Sequence, residues 1–175
     1  MSDLQNSAEF ELSTPPESVY SYLLEPRTAS TFLRWFGDSS EISEVGGKNA
    51  SLSNLYNMCA VRSDTTLRVP NGFCLSTRAY KHFLGHEGVQ DAIHAALDGV
   101  TIGNMPSLME ASEKCRSIVY EVTAPNLPGN EAIWEEVVRA YTELSIEYGS
   151  DTTPLGVAVR SSATAEDLPT ASFAG

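Results

Sequence analysis

The sequence predicts an α/β (α+β) fold that is rich in helices and has few strands, arranged as one domain. Apolar residues recur at helical spacing in several segments, whereas the strand-like runs are short and far apart. The chain has 175 residues, 42% of them hydrophobic and 19% charged, which is ordinary for a globular protein with one core.

The N-terminal part of the chain divides at about residue 30. Residues 1–30 are polar and weakly patterned, and we interpret them as a mostly mobile extension with a short helix at 16–24; an ordered arm is the alternative. The domain then spans 31–175, and an apolar run at 31–36 predicts its first strand. Next comes a glycine pair, followed by apolar residues at helical spacing: Ala50, Leu52, Leu55, Met58 and Cys59.

The middle of the chain alternates between a strand and helices. A turn leading into a short strand is predicted at 69–75, and Ser76 or Thr77 then caps a helix that extends to about Leu84. Another helix fits residues 89–97. We expect the three histidines, His82, His86 and His94, to lie on helices and face solvent rather than bind a metal.

Two long helices are predicted next, and we interpret both as core-facing scaffold without chemistry. Residues 107–110 have the form of a capping box, and the chain breaks again at 125–129. The first apolar stripe contains Leu108, Ala111, Cys115, Ile118, Val119 and Val122, and the second contains Ile133, Trp134, Val137, Val138, Tyr141, Leu144 and Tyr148.

Residues 155–162 predict a buried strand because they are rich in valine and alanine. An arginine within such a strand needs a partner. For Arg160 we consider two partners: a structural acid such as Glu166 or Asp167, or a phosphate group bound in a cleft. Three hydroxyl groups follow it as possible phosphate donors, on Ser161, Ser162 and Thr164.

A second candidate phosphate-binding segment is formed by Gly46, Gly47 and Lys48, which open a helix. Glycines permit close approach of the backbone, the helix N-terminus supplies N–H groups, and the lysine supplies a positive charge. The segment is not a Walker A loop, because position 42 is Ile and Asn49 follows the lysine.

Composition narrows the possible partners and the compartment. The formal net charge is −12, which argues against nucleic acid and anionic membranes as partners. Three widely spaced cysteines indicate reduced, buried thiols rather than a disulfide framework. We expect a cytoplasmic location, because no signal peptide, transit peptide or membrane-spanning run is evident.

Three segments together resemble a known family. They are 45–52 (VGGKNASL), 69–73 (VPNGF) and 157–175, and they are similar to the N-terminal nucleotide-binding domain of phosphoenolpyruvate synthase. The wider group includes pyruvate phosphate dikinase and the rifamycin phosphotransferases. The resemblance implies an ATP-grasp type domain that binds ATP with Mg²⁺.

The resemblance also implies roles for single residues. Lys48 and Arg160 match the family's cationic contacts to the ATP phosphates, and Gly175 matches the glycine of its phosphate-covering loop. Glu166 and Asp167 match local structural acids. The magnesium ligands, the carrier histidine and the pyruvate site are expected outside this chain, in further C-terminal domains.

The function implied is the ATP-binding portion of a dikinase that converts ATP, pyruvate and water into AMP, phosphoenolpyruvate and phosphate through a phosphohistidine. We expect the 175-residue chain alone to be inactive, because the resemblance places the opposing ATP-grasp subdomain, the metal ligands, the carrier histidine and the pyruvate site outside it. One alternative is the ATP-binding part of a rifamycin-type phosphotransferase, which residues 72–75 favour slightly. The other is a non-catalytic remnant or interaction module.

Overall fold

A computed structural model of the protein describes residues 30–61, 67–101, 103–150 and 153–165. The predicted short helix at 16–24, Glu166, Asp167 and Gly175 lie outside the described residues. In chain order the elements are β1 (Leu33–Trp35), α1 (Ile42–Val61), β2 (Phe73–Leu75), α2 (Thr77–Leu84), α3 (Val89–Leu97), α4 (Met105–Val122) and α5 (Glu131–Glu147). The predicted helix-rich, mixed α and β composition is confirmed for this part of the chain.

The two strands pair in an antiparallel sheet at the centre of the core. The register sets Leu33 opposite Leu75 and Trp35 opposite Phe73. Leu33 and Trp35 are buried against Ala140 and Leu144 of α5, and the rings of Trp35 and Phe73 meet edge to face at 5.4 Å between centroids. Both strands lie within the segments predicted for them.

The position opposite Arg34 in this sheet is a cysteine. Burial raises the pKa of Cys74 to about 11, although the Arg34 charge acts in the opposite direction. Cys59, Cys74 and Cys115 are all free thiols and are half-buried. No disulfide links them, as the spacing predicts, and the thiol of Cys74 stays protonated at neutral pH.

A carboxylate of α5 holds the start of β1. The two oxygens of Glu136 accept hydrogen bonds from the backbone N–H groups of Thr31 (2.8 Å) and Phe32 (2.9 Å). These donors lie at the end of the strand, where the ladder leaves them unpaired. The bonds attach the N-terminal edge of the sheet to the helix that covers it.

The predicted boundaries of α2 and α3 and the presence of a long helix after the break at 125–129 are confirmed, but the start of α4 is not. α4 begins at Met105, and its N-cap is Asn104, whose side chain accepts a hydrogen bond from the N–H of Ser107 at 3.3 Å. The predicted capping box at 107–110 is therefore wrong. Asparagine is as good a cap as serine, and Pro106 is tolerated in the first turn because no intrahelical bond needs its nitrogen.

The scaffold helices bury fewer residues than their apolar stripes suggest. On α4 only Ala111 and Val122 are buried, while Leu108 and Val119 are about half exposed. α5 buries Ile133, Ala140 and Leu144. Two members of the predicted stripe of α5 are exposed, Val138 at 62% and Tyr148 at 41%. The expectation of a core-facing helix therefore holds only in part for both helices.

A fully buried asparagine joins the end of α4 to the turn that follows α2, where His86 lies outside the helix predicted for it. The amide nitrogen of Asn130 donates to the carbonyls of Val122 (2.8 Å) and Ala124 (3.0 Å), so its oxygen accepts from Nε2 of His86 at 3.0 Å. The ring of His86 meets that of His82 edge to face. The prediction of solvent-facing histidines is wrong for this half-buried pair and confirmed for His94 alone.

The predicted buried strand at 155–162 is also wrong. The segment pairs with neither strand of the sheet, and Val159 is 91% exposed. Only its first residue reaches the core: Leu155 packs against the core cluster, and its carbonyl accepts a hydrogen bond from the hydroxyl of Tyr141 at 2.8 Å. An apolar alternating run forms a buried strand only where a partner strand and a covering layer are available. The described residues supply neither.

Candidate nucleotide-phosphate site

Two segments more than 110 residues apart in sequence meet at the start of α1. The N–H of Gly47 donates to the carbonyl of Ala163 at 3.0 Å. The hydroxyl of Ser162 accepts from the N–H of Asn49 at 3.3 Å and donates to the carbonyl of Val45 at 3.0 Å. We call this contact between residues 45–49 and 162–163 the junction. It joins the two segments that the sequence singles out for phosphate binding.

A glycine makes the junction possible. Gly46 is buried and interrupts α1 with φ 77° and ψ 165°, a conformation that is essentially restricted to glycine. A Cβ atom at this position would collide with the hydroxyl of Ser162 and lie 2.8 Å from its carbonyl carbon and oxygen. The kink therefore lets the 162–163 segment approach the helix backbone directly.

One predicted cation lies within the junction and the other lies close to it in sequence. Lys48 lies between Gly47 and Asn49, both of which bond the facing segment, and Arg160 lies two residues before Ser162. Both side chains are exposed. Arg160 is therefore not a buried guanidinium within a strand, and burial does not force a partner on it.

Some of the polar groups expected to support the phosphate are exposed, and others form hydrogen bonds within the junction. Ser161 and Thr164 are exposed in the same segment as Arg160. Ser162 uses its hydroxyl proton on the carbonyl of Val45, and the N–H groups of Gly47 and Asn49 bond residues 163 and 162. In this structure these three groups hold the site together instead of facing a ligand. Gly175 lies outside the described residues.

The first turn of α1 is fixed by a charged pair and a hydroxyl. Arg34 forms an ion pair with Glu44 at 2.6 Å, and the Thr77 hydroxyl donates to the carbonyl of Ser43 at 3.1 Å. A hydrogen bond from Ser39, together with the Arg34 guanidinium, lowers the pKa of Glu44. The carboxylate nearest the kink is therefore ionised and neutralised by a neighbour, which limits its repulsion of an anion.

The described residues contain no group of three His, Cys, Asp or Glu side chains that could hold a metal ion. Nor does any helix in this part of the chain have the length and apolar character needed to span a membrane.

Sequence reasoning did not identify Ser162 as the residue that closes the junction. The sequence indicates this role only indirectly. Ser162 is a small polar residue two positions after Arg160, and the glycine pair at 46–47 leaves room for another backbone segment to approach closely. Neither pattern by itself specifies which serine faces which glycine.

Comparison with known proteins places this chain in a family. Residues 42–175 match the family described as pyruvate phosphate dikinase, AMP/ATP-binding domain. The phosphoenolpyruvate synthase of Pseudomonas aeruginosa is 40% identical over 135 residues, covering 77% of this chain and 16% of that protein. The probable phosphoenolpyruvate synthase of Methanocaldococcus jannaschii is 37% identical over 146 residues, covering 82% and 11%.

The Escherichia coli phosphoenolpyruvate synthase is 34% identical over 149 residues, covering 84% of this chain and 17% of that protein. The chain thus spans less than a fifth of the length of these three relatives. No solved structure matches it. With a family match over residues 42–175, the chain belongs to the pyruvate phosphate dikinase AMP/ATP-binding domain family.

Proposed function

We propose that the chain forms part of the ATP-binding portion of a phosphoenolpyruvate synthase-like dikinase, within a domain of the ATP-grasp type. The whole enzyme would convert ATP, pyruvate and water into AMP, phosphoenolpyruvate and phosphate through a phosphohistidine. The observation that carries the proposal is the junction, because it brings the segments of Lys48 and Arg160 together in a family that binds AMP or ATP.

In this proposal the two cations bind the phosphates of the nucleotide. Arg160 offers a planar fork that matches phosphate oxygens, and Lys48 offers a compact charge on a flexible stem. Phosphoryl transfer depends chiefly on positioning and on neutralising negative charge spread over several oxygens, which two cations on separate segments provide. Gly46 and Gly47 give the backbone its close approach, Ser161 and Thr164 supply hydroxyl donors, and Gly175 belongs to the covering loop.

Mg²⁺ bound with ATP needs only one or two protein carboxylates beside the phosphates, and Glu44, the acid nearest the kink, is already paired with Arg34. As the family resemblance implies, we place the ligands of the Mg²⁺ that accompanies ATP outside this chain, and assign no step to the metal here. The remaining domains of the parent enzyme would be the partners of this chain, with neither nucleic acid nor a membrane involved. A cytoplasmic location agrees with this role.

Pyruvate is favoured as the phosphoryl acceptor because the relatives compared above are named phosphoenolpyruvate synthases. Nothing in the described structure favours an antibiotic acceptor or a non-catalytic interaction module.

The test is a titration of the ¹⁵N-labelled 175-residue chain with ATP and with AMP, followed by protein NMR, which also detects weak binding. We expect peaks of residues 44–49 and 160–165 to shift. Lys48→Ala and Arg160→Ala should each raise the Kd for ATP about tenfold or more, as expected for the loss of a charged contact. Both side chains are exposed, so the melting temperature should change little.

Matched controls are available on α4, where Lys114 and Arg116 are exposed and remote in sequence from the junction. Lys114→Ala and Arg116→Ala should leave the Kd unchanged. Equal loss of affinity in the controls would contradict the proposed roles of the two cations. A fall in melting temperature that parallels the lost affinity of Arg160→Ala would instead support a structural ion pair for that residue.

A further inference from the structure

We propose that Ser162 is a positioning residue of this site: its hydroxyl fixes the helical turn that carries Lys48 relative to the segment that carries Arg160. The inference rests on the proposed function, because it assigns Ser162 a part in nucleotide binding without any contact to the nucleotide.

The Ser162 hydroxyl makes two hydrogen bonds to the start of α1. Ser162 donates to the carbonyl of Val45 and accepts from the N–H of Asn49, so a single oxygen spans one turn of α1. The same carbonyl also accepts from the side-chain amide of Asn49 at 3.1 Å. The helical turn from 45 to 49 is therefore held by hydrogen bonds at both of its ends, and Lys48 lies within it.

The Ser162 hydroxyl oxygen has little free space around it. The hydroxyl packs against Gly46 so closely that a Cβ at position 46 would strike it. Glycine on one side and serine on the other thus form a complementary pair. The shape of the contact indicates a specific fit between the two segments, beyond general packing.

The positions of the two cations depend on the backbone segments that carry them. Lysine has a long flexible stem, so the place of its charge depends on where its backbone is held. Two cations that bind the same anion bind it more tightly when the distance between them is fixed in advance. Ser162 is one residue from the junction bond of Ala163 and two residues from Arg160, so it links the positions of both cations.

Loss of the Ser162 hydroxyl should not dissolve the junction. The backbone bond from Gly47 to Ala163 needs no side chain and remains in Ser162→Ala. The variant should therefore fold, with the two segments in contact but with the turn at Lys48 less constrained. This separates a positioning role from a purely structural one.

The experiment measures the Kd for ATP by NMR titration in the wild-type chain, Ser162→Ala, Lys48→Ala and the double variant. Ser162→Ala should raise the Kd about tenfold. In the Ser162→Ala background, removal of Lys48 should cost at least about threefold less than in the wild type, because the two residues act as one unit. Hydrogen exchange at the Asn49 amide should become faster.

Ser107→Ala is the matched control, because the Ser107 hydroxyl also donates to a backbone carbonyl at the start of a helix, that of Asn104 at 2.9 Å. It should leave the Kd unchanged. Independent effects of Ser162→Ala and Lys48→Ala, or wild-type affinity in Ser162→Ala, would overturn the inference alone. A wild-type chain that binds no adenine nucleotide would overturn both the inference and the proposed function.

Discussion

At the scale of single residues, one glycine and one serine shape the contact between the two segments of the candidate site. Gly46 adopts a backbone conformation that residues with a Cβ rarely adopt, and Ser162 occupies the space next to it. The sequence marks the glycine pair as suited to phosphate approach. In the structure Gly46 faces another segment of the same chain, so here its first role is in chain packing.

Gly46→Ala should destabilise the protein by at least about 2 kcal/mol, since a non-glycine backbone strain of ~1–3 kcal/mol adds to the collision with Ser162. Urea unfolding followed by circular dichroism measures this loss. We also expect the variant to lose the ATP-induced NMR shifts of residues 160–165.

Gly88→Ala is the control for Gly46→Ala. Gly88 has the same φ of 77°, but nothing lies within 4 Å of a Cβ placed there. Its replacement should cost only ~1 kcal/mol, the penalty for a left-handed residue. If the two variants lose equal stability, the contact between Gly46 and Ser162 does not constrain the fold.

At the scale of elements, a short sheet is held in place by the helix that packs on it. β1 and β2 have three residues each, too few for a stable two-stranded sheet in isolation, and they pack against Ala140 and Leu144 of α5. The carboxylate of Glu136 adds polar bonds at the start of β1. Residues 155–162 show the opposite case, an apolar run that forms no strand and has no such support among the described elements.

Glu136→Gln should lower the free energy of unfolding by about 1–2 kcal/mol. The amide keeps one acceptor, but its NH₂ group then faces a backbone N–H, and one donor of Thr31 or Phe32 loses its partner. Glu135→Gln, at the exposed neighbouring position, should change it by less than about 0.5 kcal/mol. Urea unfolding of both variants at pH 7 measures the difference; equal values would show that the carboxylate does not anchor the strand.

At the scale of the whole molecule, the chain matches a nucleotide-binding domain and only a small part of the length of its relatives. Because its net charge is −12, the proposed binding of ATP phosphates depends on locally placed cations, for which we propose Lys48 and Arg160. The described residues hold no metal-binding cluster, and the three relatives compared are more than five times as long as the part that this chain matches.

We therefore expect the 175-residue polypeptide, assayed alone, to form no AMP and no phosphoenolpyruvate from ATP and pyruvate. Catalysis requires groups that stabilise the transferred phosphoryl and position the acceptor, and the described residues supply only cations for phosphate. A coupled assay with E. coli phosphoenolpyruvate synthase as the positive control measures this. Pyruvate-dependent formation of AMP by the chain alone would contradict the expectation.

The sequence by itself determined the family, the helices at 77–84 and 89–97, a long helix after the break at 125–129, and the two segments of the candidate site. Those features depend on local periodicity and on contiguous residues, which one chain displays directly. The start of α4 was mispredicted because Asn104 and Ser107 are both good caps, and local preference does not choose between them.

Only the tertiary structure decided how the segments are used. It showed that residues 155–162 are exposed, that His82 and His86 pack beside the buried Asn130, and that Ser162 bonds both ends of the turn around Lys48. Each of these depends on residues tens of positions away or more. Whether a segment is buried or paired depends on the other segments that it contacts, and the residue pattern within one segment does not specify which segment that will be.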